Sequence, residues 1–175
     1  MRRTVFCLLL AAVSVAPALA QLRGNAGPDN TPAVGVDAPD FAMPRGSAVA
    51  NLSDFEGEKK VLLMFFPGAF TPGCTTEFTE AGVYYDRFVD MNIELIGISR
   101  DLQGALNAFR DSVGAKNAFL SDPDMAVIGA YGAESPRGAA NRYYFLIDEA
   151  GKIVWKSTNN SLIPTERLLE DLANL

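Results

Sequence analysis

The chain has 175 residues, 49% of them hydrophobic and 21% charged, which is the composition of a single globular domain. A chain near that length buries roughly 70% of its unfolded surface, enough for a real core. Its net charge of −6 is opposite to the clustered Lys and Arg that nucleic-acid binding needs. Histidine is absent, which excludes a Cys-His protease dyad and removes the usual ligand of zinc, copper and haem sites. No metal and no cofactor is expected.

The first twenty residues stand apart. Arg2 and Arg3 make a short basic start, Val5 to Ala16 is apolar, and Ala18-Leu19-Ala20 reads as an A-x-A cleavage site. That is the pattern of a secretory signal peptide over 1–20, cut before Gln21. The apolar run is short of the ~20 residues a membrane span needs. The expected localisation is therefore periplasmic or otherwise extracytoplasmic, with no membrane attachment after cleavage. Cleavage takes Arg2, Arg3 and Cys7 with it, moves the net charge to −8 and leaves Cys74 as the single thiol. Oxidising compartments favour paired cysteines, so a lone one there reads as reactive or intermolecular.

Residues 21–35, rich in Gly, Pro, Asn and Asp, read as a flexible lead-in, with the folded domain over 36–175. Phe41–Met43 and Ala48–Ala50, separated by Pro44-Arg45-Gly46-Ser47, predict a small hairpin. Val61–Phe66 ("VLLMFF") and Ile93–Ser99 ("IELIGIS") are continuous apolar runs, as expected of strands buried on both faces. Between them, residues 72–90 carry helical spacing. A second helix is expected over about 103–113, then a strand at 118–120 and a short helix from Asp122 to Tyr131. "YYFLID" and "KIVWKS" read as a β-hairpin. The last helix has Pro164 in its first turn and Leu168, Leu169, Leu172 and Leu175 on one face. This order predicts an α/β sandwich with a central mixed β-sheet flanked by helices. The site is expected beyond the carboxyl ends of the strands, in the loop Pro67 to Gly73.

"TPGC" reads as a helix start, with Thr71 as N-cap, Pro72 at N1 and Cys74 at N3. Gly73 lets backbone come close. Free amides and the positive end of the helix dipole converge on that turn. Such positions favour a thiolate and lower cysteine pKa from about 8.5 to roughly 3.5–7.5. Phe78, Ala81, Tyr85, Phe88 and Val89 follow Cys74 at spacings of three and four, so the sulfur shares their buried face. Two readings stay open on spacing alone, a reactive thiolate and an inert buried cysteine. A dithiol oxidoreductase fits poorly, because Glu77 holds the C-x-x-C position. Peroxide reduction fits better, since a thiolate attacking an O–O bond needs only donors that polarise it.

"FFPGAFTPGCTTE" resembles the active-site signature of the peroxiredoxins, with Pro67, Thr71 and Cys74 on its P-x-x-x-T-x-x-C pattern. "VGVDAPDFAMP", "NLSDFEGEKKVLLMFF" and "RYYFLIDEAGKIVWK" resemble the family's opening, its approach to the catalytic loop and its arginine-bearing hairpin. The resemblance implies a thioredoxin-like fold and a thiol peroxidase. Cys74 would be the peroxidatic nucleophile, Thr71 would hold thiolate and peroxide, and Pro67 would shield the sulfenate. Arg142 would supply donors to the breaking O–O bond, with Glu77 orienting it. Phe70 would help wall the substrate pocket beside Gly73. The residues alone do not select Arg142 over Arg100 or Arg137. Tyr144 departs from the small hydroxyl residue that many relatives carry there, and Thr79 stands where bacterioferritin-comigratory relatives often carry a resolving cysteine. The implied partners are a peroxide and an external thiol, from a thioredoxin- or glutaredoxin-like protein or a low-molecular-weight thiol. Dimers are common in the family, so a homodimer is compatible with the resemblance. The alternative from another class is a catalytically idle thioredoxin-like module for binding or redox sensing.

Overall fold

The structure, a computed structural model, describes residues 30–45 and 48–175. The expected signal peptide, Cys7 and most of the lead-in lie outside these residues, as does Gly46-Ser47 in the first hairpin. Packing begins ahead of position 36. Thr31 is buried, and the Gly35 amide donates to the Ile153 carbonyl.

Strands β1 (Ala42–Arg45) and β2 (Ala48–Asn51) form the small antiparallel hairpin. The main sheet contains β3 (Lys60–Phe65), β4 (Ile93–Ser99), β5 (Ala118–Ser121), β6 (Tyr143–Ile147) and β7 (Ile153–Ser157). Their order is β5-β4-β3-β6-β7. β3 runs parallel to β4, and β4 to β5, while β6 and β7 are antiparallel to their neighbours. This is the mixed-sheet α/β sandwich expected from the sequence.

β3 and β4 lie inside the sheet, so their apolar runs supply two cores at once. Val61, Leu63 and Phe65 of β3 point to one face, which the hairpin and the short α4 (Ala126–Ala130) cover. Leu62, Met64 and Phe66 point to the other, under α1 (Pro72–Val83), α2 (Tyr85–Asp90), α3 (Gln103–Val113) and α5 (Thr165–Ala173). Cys74 belongs to this second core. Each fully buried Leu or Phe there contributes roughly 1.5–3 kcal/mol.

Three helical expectations need correction, the first being the short helix expected from Asp122 to Tyr131, which runs only over Ala126–Ala130 behind Met125 at φ +57°. The single helix over 72–90 is broken at Tyr84, whose φ and ψ of −95° and 8° lie outside the helical well. The break shifts the helical phase. Phe88 stays buried, but Val89 turns to solvent and Tyr85 is only half-buried. In α5, Leu168, Leu169 and Leu172 are buried as expected, whereas the helix ends at Ala173 and leaves Leu175 65% exposed.

The second core is lined by Phe66, Phe78, Phe109 and Phe119, packed largely edge to face. Gly97 of β4 makes room for them, since a Cβ there would lie 2.7 Å from the Phe119 ring and 3.2 Å from Phe78. Gly97→Ala should therefore cost about 1–3 kcal/mol, the usual penalty of overpacking. Urea denaturation checks this, and an unshifted midpoint would show that the aromatic cluster yields freely.

Candidate active site

β3 delivers the chain to the site. After Phe66, whose amide still bonds to the Ile98 carbonyl, the sheet ends and Pro67 starts a five-residue loop. The Ala69 amide donates to Asp101 Oδ2 at 2.8 Å, and the Ser99 hydroxyl donates to the same oxygen at 2.8 Å. Asp101 thus ties the loop to the end of the neighbouring strand β4. Phe70 adopts φ +60°, an uncommon region for a bulky side chain, as the loop reverses into α1.

α1 begins as the sequence predicts, with Thr71 as N-cap in extended backbone, Pro72 at N1 and Cys74 at N3. Thr71 makes no side-chain cap. Its hydroxyl instead donates back to the Gly68 carbonyl at 3.0 Å, bracing the loop. Cys74 and Glu77 lie one helical turn apart on the same face, and both are buried.

Arg142 meets them from the sheet. The register that pairs Phe65 with Tyr143 brings Arg142 beside the end of β3, where the loop begins. The Arg142 amide donates to Asn160 Oδ1 at 2.7 Å, fixing its backbone. Its Nε donates to Glu77 Oε2 at 3.0 Å, and its Nη2 to Cys74 Sγ at 3.2 Å. The pair is shielded from water, with side-chain exposures of 13% for Arg142 and 2% for Glu77. Gly73 permits the approach, since a Cβ there would stand 3.2 Å from Arg142 Nη2.

The other oxygen of Glu77 is also engaged. Tyr144 of β6, fully buried, donates its hydroxyl to Glu77 Oε1 at 2.5 Å. Burial pushes the Glu77 carboxyl above the ordinary carboxylate range, against the pull of the Tyr144 and Arg142 donors. Burial opposes the Arg142 charge as well, but the Glu77 carboxylate and Cys74 outweigh it and hold the guanidinium ionised. Burial, then the Glu77 charge, push the Tyr144 phenol well above its usual range, so it remains a donor.

Four of the residues singled out from the sequence, Gly73, Cys74, Glu77 and Arg142, therefore meet around one sulfur. Arg100 and Arg137 do not join them. Arg100 bonds to the Gly138 carbonyl, and Arg137 lines a cleft of about 400 Å³ with Pro67, Pro136 and Asn160. Pro67 thus borders that cleft beside the loop. Phe70 is 57% exposed, and its ring packs edge-on against Phe109 of α3, 5.3 Å between centroids. Sequence reasoning missed two contributors. Asp101 carries no motif. Tyr144 is a buried phenol in a core strand, and such a hydroxyl needs a partner, which was the available signal.

The AhpC/TSA family pattern matches residues 34–156, and the chain belongs to that family. Among its relatives, it is 35% identical over 124 residues to peroxiredoxin Bcp of Escherichia coli, covering 66% of this chain and 79% of that protein. It is 37% identical over 127 residues to peroxiredoxin 2 of Caldanaerobacter subterraneus, covering 67% of this chain and 57% of that one. The fold is shared with peroxidoxin BcpB of Mycobacterium tuberculosis, with a TM-score of 0.74 at 24% identity over 81% of this chain and 97% of that chain. A PrxQ mutant of Xylella fastidiosa gives a TM-score of 0.73 at 25% identity over 81% and 96%.

Gly73→Ala tests the approach of the guanidinium. The new methyl, 3.2 Å from Nη2, makes the guanidinium give by a few tenths of an ångström, a fraction of the ~1 Å misplacement that costs roughly a hundredfold in rate. The expected outcome is a correctly folded protein whose Cys74 reacts with peroxide several-fold more slowly, checked by stopped-flow kinetics beside circular dichroism.

Proposed function

We propose that the chain is a thiol-dependent peroxidase that reduces hydrogen peroxide or organic hydroperoxides through Cys74. The supporting observation is the contact of Arg142 Nη2 with Cys74 Sγ at the first turn of α1, with Glu77 holding the guanidinium from behind. Family membership supports the same reading.

In the first step the Cys74 thiolate attacks one peroxide oxygen. The S–O bond forms as the O–O bond breaks, sulfur loses two electrons, and the leaving oxygen takes a proton to depart as water or an alcohol. Arg142 supplies fixed donors where charge develops on that leaving oxygen. Thr71 would hold the substrate at the helix start, and Pro67 would keep water from the sulfenate. Gly73 would leave the substrate room, with Phe70 as an outer wall of the entrance.

In the second step an external thiol attacks the sulfenic acid, expelling water and leaving a mixed disulfide. A second thiol then releases Cys74. Thr79 at the resolving position and a single thiol in the cleaved chain support this one-cysteine cycle. The reductant would be a thioredoxin- or glutaredoxin-like protein, or a low-molecular-weight thiol. The apolar segment Val5 to Ala16 and the A-x-A site before Gln21 support export, and the cycle would then run outside the cytoplasm. The idle-module alternative has less support, because a binding surface has no need of a buried guanidinium aimed at sulfur.

Peroxide treatment of the protein should yield a dimedone adduct on Cys74 by mass spectrometry, with peroxide consumed only when a thiol is supplied. Cys74→Ser should abolish both. Arg142→Ala should slow the reaction by roughly 10²–10³-fold, as loss of one transition-state donor does. Unlabelled Cys74 with no thiol-dependent consumption would return the reading to a binding module.

A further inference from the structure

The buried chain of donors that ends on Cys74 starts further back than the arginine. The Tyr144 hydroxyl donates to Glu77 Oε1, Arg142 Nε donates to Glu77 Oε2, and Arg142 Nη2 donates to Cys74 Sγ. Tyr144 and Glu77 are at most 2% exposed, so water is a poor substitute for either.

A carboxylate offers several acceptor directions and its planar group can turn. Glu77 sits on the helix, whereas Arg142 and Tyr144 come from the sheet, so nothing on α1 itself dictates which way the carboxylate faces. Held at one oxygen only, it could swing with the guanidinium. Held at both, it has one orientation, and that orientation sets where Nη2 falls relative to sulfur. The phenol reaches Glu77 only because a full tyrosine stands at position 144, where a shorter hydroxyl side chain would stop short.

Resting on the peroxidase reading above, we propose that Tyr144 is a positioning residue of this site, fixing the Glu77 carboxylate so that it delivers the Arg142 guanidinium to the Cys74 sulfur. Tyr144 touches neither sulfur nor peroxide and acts through Glu77. The groups that face the carboxylate are Tyr144 of β6 and Arg142 just ahead of that strand, with Glu80 along α1 adding a like charge. The phenol and the guanidinium favour the anion, while burial and Glu80 oppose it. Loss of the phenol therefore raises the pH at which Glu77 takes a proton and the clamp slackens.

Tyr144→Phe keeps the ring in the core and removes only the donor. The test measures the peroxide reaction of Cys74 across pH for the native protein, Tyr144→Phe, Glu77→Gln and the double variant, with thermal denaturation alongside. The expected result has two parts. Tyr144→Phe slows the reaction roughly tenfold at neutral pH, in line with loss of a hydrogen bond to a charged group, and its acid limb moves to higher pH. In the Glu77→Gln background the same change adds little, because the two act as one unit. A folded Tyr144→Phe with native rate and native acid limb overturns the proposal and leaves the peroxidase reading standing. So does a loss of rate that simply adds to that of Glu77→Gln, which marks a purely structural role. Native protein that consumes no peroxide overturns the peroxidase reading itself, and this inference with it.

Discussion

One guanidinium, shared between a buried carboxylate and a sulfur, is the interaction on which the site depends. Arg142 bonds to Glu77 through Nε and to Cys74 through Nη2. A lysine serves both less well, because its three donors radiate from one nitrogen on a flexible stem and form no fixed fork. Burying the pair costs several kcal/mol per ion in desolvation, and only close geometry with further hydrogen bonds offsets that loss. Tyr144 and the Asn160 side chain supply those further bonds, one to the carboxylate and one to the arginine backbone. Such an arrangement is a poor way to gain stability and a good way to hold charge in one place.

The fold supplies the rigidity this needs. β3 is the middle strand, so the loop that carries Pro67 and Thr71 springs from the best-packed part of the sheet. β6 lies beside it and delivers Arg142 and Tyr144, while β4 on the other side delivers Asp101 to hold the loop. Helix α1 is pinned to the second core by Phe78 and Ala81, further along the same buried face as Cys74 and Glu77. The site thus draws on residues at the ends of three adjacent strands and on the first turns of one helix, with Arg142 alone bonding to the sulfur among the contacts described.

Much of this could be read from residue order. The apolar runs at 61–66 and 93–99 had no surface to alternate with, so their burial and strand character were plain. "TPGC" fixed the helix start because Pro at N1 and a residue with good capping chemistry before it leave few alternatives. Glu77 is marked as a site residue by resemblance, although its spacing of three from Cys74 is also that of a shared helix face. What spacing could not supply was the partner from another element. Arg142 was chosen over Arg100 and Arg137 by resemblance alone, since the residue that meets α1 depends on β3–β6 register. Asp101 and the role of Tyr144, noted only as a departure from relatives, are not legible for the same reason, as both act across strands. The break at Tyr84 and the exposure of Val89 and Leu175 show where helical periodicity was carried past the end of a helix.

The most direct test of the shared guanidinium is the rate constant for peroxide reacting with Cys74 in Arg142→Lys, measured by stopped flow under single-turnover conditions. This variant keeps the positive charge and removes the fork. If one planar group must satisfy Glu77 and sulfur together, the reaction slows by roughly a hundredfold or more, comparable to losing a transition-state donor. A lysine variant that reacts at the native rate would mean that nearby charge suffices, and that the bridge from carboxylate to sulfur has no part in the chemistry.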